Sequence, residues 1–73
     1  MGVVTFGEKL QSFRIKSKLT QKEVASILKI SRQSISKWEN NQSLPTIDLL
    51  VPLTDILNCT LDDLLGIKSK RII

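Results

Sequence analysis

At five places in this chain of 73 residues a hydroxyl residue stands just ahead of an amphipathic stretch, and that punctuation limits the fold more than any other feature. Thr5 is followed three residues later by Glu8, and Thr20 by Glu23. At this spacing the hydroxyl accepts from a free amide at a helix start, while the carboxylate reaches back to the amide of the hydroxyl residue. Ser31, Thr46 and Thr60 occupy similar places, with Asp63 a weaker partner for Thr60. A residue before a cap often packs on the fourth helical residue, and Leu19 with Val24, Ile30 with Ile35 and Cys59 with Leu64 fit that rule. The pattern predicts helices over about 6–17, 21–28, 32–39, 47–57 and 61–65. No segment alternates as a strand would, so the expected class is all-α.

The apolar residues then define one core. In the first helix Phe6, Leu10 and Phe13 share a stripe, with Glu8, Lys9, Gln11 and Lys16 on other faces. The fourth offers Leu49, Leu50, Leu53, Ile56 and Leu57, and the fifth adds Leu61, Leu64 and Leu65. These can close around Val24, Leu28 and Ile35. Pro52 falls inside the fourth helix, where it cannot donate to the carbonyl of Asp48, and this predicts a kink or break near Asp48. With no repeat or linker, residues 1–73 read as one domain, its core over about 5–66 and a basic tail over 67–73.

Composition excludes several functions. Hydrophobic content is 41%, and no apolar run approaches the roughly 20 residues that cross a bilayer. One cysteine and no histidine leave neither an internal disulfide nor a conventional zinc site, and no cofactor is expected. No glycine-rich phosphate loop and no nucleophile with a base are present, so an enzyme is not expected. The start, MGVVTFGEKL, lacks the pattern of a secretory signal, and a reducing cytoplasm is the expected location. Charge is segregated: residues 1–43 carry eight Lys or Arg against three Glu, residues 44–67 carry four Asp and no base, and KSKRII adds three cations. The first half suits either an anionic partner or a plainly solvated surface.

The stretch Thr20 to Asn40, TQKEVASILKISRQSISKWEN, separates those readings. Between its two helices only Lys29 to Ser31 remain for a turn, so the axes must cross sharply. Ala25 gives a small side chain where they approach. Lys29 stands where a left-handed backbone is often required and glycine is the easy choice. At about 100° per residue, Ile35 and Trp38 point inward with Ser34 beside them. Gln33, Ser36, Lys37 and Asn40 point outward, and Arg32 stands at the helix start near that face. This outer face carries hydrogen-bonding groups, two cations and no acid. It suits the DNA major groove, where Arg can bind guanine through two acceptors and Gln can bind adenine through a donor and an acceptor.

From Phe6 to Gly66 the chain resembles the Cro and phage-repressor class of helix-turn-helix proteins, the XRE-like family, through TQKEVASIL, SRQSISKWEN and the closing TLDDLLG. The resemblance implies a compact five-helix, lambda-repressor-like DNA-binding domain acting as a transcriptional repressor. Carried over by position, Gln21 and Asn40 would bind phosphates, with Ser34 near the backbone. Arg32, Gln33, Ser36 and Lys37 would form the reading face, and Arg14 would pair with Glu39. Lys29 and Asn41 depart from the family, which often has glycine at both places. The family binds pseudo-palindromic operators as homodimers, with half-sites about 34 Å apart. Leu44, Ile47, Val51, Ile67, Ile72 and Ile73 are surplus apolar groups that suit such a dimer. The alternative is an antitoxin, with a toxin as protein partner and the same DNA-binding face. Lys68, Lys70 and Arg71 suit either phosphate contact or an unstructured end.

Overall fold

The computed structural model describes residues 4–66 and places five helices there: α1 (Phe6–Lys16), α2 (Gln21–Leu28), α3 (Arg32–Glu39), α4 (Ile47–Leu57) and α5 (Leu61–Leu65). The capping boxes at Thr5, Thr20 and Thr60 are complete, each hydroxyl accepting from the third helical amide and each carboxylate accepting from the cap amide. Ser31 caps α3 by accepting from Ser34 N–H at 3.3 Å. Thr46 departs from the expectation. It precedes α4, but its side chain caps no amide and its hydroxyl donates instead to the Asp48 carboxylate.

Every helix sends at least one side chain into the same core. Leu10, Val24, Ala25, Ile35, Trp38, Leu53, Leu57 and Leu64 are buried, and Phe6, Phe13, Leu19, Leu28, Ile30, Leu49, Leu50, Ile56 and Cys59 are half-buried around them. Leu65, expected in this core, is exposed. In a helix of five residues Leu64 takes the inward position, and its neighbour, about 100° further round, turns to solvent.

Pro52 does not break α4, which runs without interruption from Ile47 to Leu57. The carbonyl deprived of a partner belongs to Asp48, an exposed residue in the first turn, so solvent is at hand to satisfy it. The first helix ends one residue earlier than expected because Ser17 caps it and Lys18 turns left-handed, φ 60°. Ser17 Oγ also donates to the Leu57 carbonyl at 3.2 Å, joining the ends of α1 and α4.

Gly7 sets how closely α1 and α3 pack. A Cβ there would stand 2.8 Å from the Trp38 carbonyl oxygen and nearer still to that of Glu39, so the two backbones meet where no side chain fits. Ile67, Lys68, Lys70, Arg71, Ile72 and Ile73 lie outside the described residues. Among the described residues no helix is long and apolar enough to cross a membrane.

Candidate nucleic-acid interface

The turn between α2 and α3 is built on backbone. Lys29 is left-handed, φ 60° and ψ 43°, and its amide is paired with the carbonyls of Ala25 and Ser26. Ile30 N–H donates to Ala25 C=O at 3.0 Å, closing the end of α2. Ala25, 3% exposed, lets α3 approach α2 closely, while Ile35 and Trp38 anchor α3 in the core.

With that side buried, the opposite side of α3 faces outward. Arg32, Gln33 and Lys37 are exposed, and Ser34 and Ser36 are half-buried at its edges. Two cations and an amide therefore stand on a helix whose angle is fixed by the packing beneath it. None of the acids at Asp48, Asp55, Asp62 and Asp63 lies on this helix.

Beneath the face runs a chain of polar contacts. Glu39, 9% exposed, accepts from Arg14 Nε at 2.6 Å and from Arg14 Nη2 at 3.2 Å, a two-pronged ion pair between α3 and α1. The third guanidinium nitrogen, Nη1, donates to the Leu19 carbonyl at 2.8 Å, tying in the turn before α2. Gln21 Nε2 donates to the same Glu39 carboxylate at 3.0 Å, and Gln21 Oε1 accepts from Arg32 Nη1 at 3.2 Å. A buried carboxylate is costly unless charge and hydrogen bonds compensate it, and here both do. Gln21 therefore has a fixed orientation, oxygen toward Arg32 and nitrogen toward Glu39. Arg14, Glu39, Gln21 and Arg32 form one connected line from the interior to the outer face.

Not every residue of the reading face stands free. Asn40 Nδ2 donates to the Ser36 carbonyl at 2.9 Å and approaches Ser36 Oγ at 3.4 Å, so both side chains are engaged at the end of α3. Ser34 Oγ is 3.1 Å from Ser31 Oγ in the first turn. Gln33 and Lys37 have no side-chain partner among the hydrogen bonds of the described residues.

Two residues outside the expected set belong to the frame of this interface: Gly7 and Asn41. Asn41 is left-handed, φ 60°, and its side chain bonds the start of α1, Oδ1 accepting from Gly7 N–H at 2.9 Å and Nδ2 donating to Thr5 Oγ1 at 3.0 Å. A glycine inside an otherwise helical pattern was the available signal for close packing at Gly7. The 34-residue separation of the Asn41 contact left none.

Cys59 lies elsewhere, half-buried beside an open depression of about 300 Å³ lined also by Thr54, Asp55, Asn58, Thr60 and Asp63. Burial and then the nearby Asp63 carboxylate push its pKa up, so the thiol stays protonated and weakly nucleophilic at neutral pH.

The helix-turn-helix family pattern matches residues 10–64, which include all of α2 and α3. The transcriptional activator BcrR of Enterococcus faecalis is 40% identical over 61 residues, covering 84% of this chain and 30% of that protein. The transcriptional regulator DicA of Escherichia coli K12 is 40% identical over 57 residues, covering 78% of this chain and 42% of that protein. The chain thus spans less than half the length of either relative. The P22 c2 repressor, in its crystal structure with a synthetic operator, superposes with a TM-score of 0.81 at 30% identity, covering 86% of this chain and 96% of that one.

Proposed function

Because this chain belongs to the helix-turn-helix family, we propose that it binds double-stranded DNA with sequence specificity and regulates transcription, without catalysis. The observation that carries this reading is the outer face of α3: Arg32, Gln33 and Lys37 exposed on a helix anchored by Ile35 and Trp38. The P22 c2 repressor, whose fold this chain shares, is seen bound to operator DNA.

In this mechanism Gln21, Asn40 and Ser34 meet phosphates and set the register, which carries no sequence information by itself. Arg32, Gln33 and Lys37 then read base edges in the major groove, with Ser36 beside them. The Gln21 oxygen fixes one guanidinium nitrogen of Arg32 and leaves the remaining donors for a base. Repression is the role the phage-repressor resemblance supports, although BcrR bears the name of an activator. A cytoplasmic location follows from contact with DNA.

One α3 reads too few base pairs for selectivity in a genome, so two copies on a pseudo-palindromic operator are required. Leu44, Ile47 and Val51 are 69%, 66% and 56% exposed, apolar surface of the kind a homodimer covers. An antitoxin would use the same DNA face and place a toxin on that apolar surface instead. A toxin encoded beside this chain would favour the antitoxin, while sedimentation of the purified chain tests the homodimer: self-association supports it, and a monomer at high micromolar concentration removes it.

Selection from a random pool of duplexes tests the reading itself. The expected result is enrichment of a pseudo-palindrome, with affinity falling steeply as salt rises because phosphate contacts release counterions. A pool without enrichment and binding indifferent to salt would overturn it.

A further inference from the structure

Asn41 does more than terminate α3. Its left-handed backbone turns the chain, Asn41 N–H donating to Trp38 C=O at 3.2 Å and Gln42 N–H to Lys37 C=O at 2.8 Å. Its side chain reaches across to the first turn of α1, accepting from Gly7 N–H and donating to Thr5 Oγ1. Amides in the first turn of a helix have no partner within the helix, and water usually serves them. The Gly7 amide is instead taken by a side chain 34 residues away, while Thr5 Oγ1 still caps Glu8 N–H at 3.2 Å.

The missing Cβ of Gly7 acts at the same place by a separate means, bringing the start of α1 onto the Glu39 and Trp38 carbonyls. Two features therefore hold the first turn of α1 against the last turn of α3. Asn40 sits between them, with α3 on one side and the fastened Asn41 on the other. Its own side chain is already folded onto Ser36.

We infer that Asn41 is a positioning residue for DNA binding: its amide fork fastens α3 to α1 so that Asn40 and the loop after it meet the phosphate backbone already ordered. This rests on the DNA-binding reading above. Ordering a loop before contact removes that cost from the binding step. Since phosphate contacts are indifferent to sequence, its loss weakens binding to all duplexes alike.

Asn41→Gly is the informative variant, because glycine keeps the left-handed turn and removes both side-chain bonds. Affinity for the selected operator and for a random duplex is measured by fluorescence anisotropy, well below the melting temperature of the variant. The expected result is a loss of roughly fivefold to tenfold on both duplexes, the worth of about one hydrogen bond, with base preference unchanged. A purely structural role would lower the melting temperature and leave affinity at low temperature intact, and that result overturns the inference. So does a change in base preference. Hydrogen exchange of the Gly7 amide gives a second readout that survives misfolding of the variant: slow exchange in the wild-type protein is expected, and fast exchange overturns the clamp. Wild-type protein that binds neither duplex removes the DNA-binding reading and this inference with it. Wild-type protein that binds, with Asn41→Gly equal to it, removes the inference alone.

Discussion

Glu39 shows how much a single side chain can hold together. Its buried side chain accepts from Arg14 and Gln21, and through Gln21 it reaches Arg32. Removing one member of a buried ion pair strands the other, so Glu39→Ala or Arg14→Ala should lose about 3 to 5 kcal/mol of stability in urea unfolding. A loss under about 1 kcal/mol would show that the pair is solvated in solution. The outer residues should behave differently. Lys37→Ala or Gln33→Ala should relax base preference at one position by roughly 1 to 3 kcal/mol, whereas Gln21→Ala should weaken all sequences. Gln21→Ala should also alter preference at the base met by Arg32, since it removes the acceptor that orients the guanidinium. Binding curves on a set of single-base operator variants check both. Cys59 gives a prediction of another kind. With its pKa raised by burial and by Asp63, it should react with iodoacetamide at pH 8 more slowly than free cysteine, and at the ordinary rate in denaturant.

At the scale of the helices the recurrent feature is the way they end. Lys18, Lys29, Asn41, Asn58 and Gly66 all have positive φ, each at or just after a helix end, and only one of them is glycine. A left-handed backbone costs an L-residue roughly 1 to 2 kcal/mol, least for asparagine. Lys18→Gly and Lys29→Gly should therefore stabilise the fold by about 0.5 to 1 kcal/mol each, after the greater freedom of glycine in the unfolded chain is set against the relief. In a domain of this size that is a rise of a few degrees in Tm, readable by circular dichroism. Gly7→Ala should do the reverse. Its methyl would enter the Glu39 and Trp38 carbonyls, and a loss of roughly 2 to 4 kcal/mol is expected as α1 is pushed off α3. The helix starts were legible from sequence because a cap and its carboxylate lie three residues apart. Thr46 also marked its helix start correctly, since α4 begins at Ile47, but its hydroxyl donates to Asp48 and accepts from no helix amide.

For the whole molecule, the proposed association rests on the apolar surface that the core leaves uncovered. The described residues bury one core and leave Leu44, Ile47 and Val51 exposed together with Val4, Ile15, Ile27 and Leu65. If the first three form the homodimer surface, Ile47→Glu should give a monomer in sedimentation and weaken operator binding far more than binding to a single half-site. Equal sedimentation of both proteins as dimers would place the interface elsewhere, and as monomers would remove the homodimer.

What the sequence by itself determined is what depends on short separations. Cap to carboxylate, staple to core residue and the helical phase of Ile35 against Lys37 all act within a few positions, so five helices, their inward faces apart from Leu65, and the outward face of α3 could be read directly. The left-handed turn at Lys29 was legible too, because Lys29 directly follows the last turn of a helix, where that backbone is often required. Only the tertiary structure decided how those helices are fastened. The fork from Arg14 to Glu39 spans 25 residues, the bond from Gln21 to Glu39 spans 18, and the clamp from Asn41 to Gly7 spans 34. The first of these was available only through family resemblance, and the other two were not foreseen. Pairings at that distance depend on how closely backbones approach and on which way an amide faces, and packing settles both after the helices have formed.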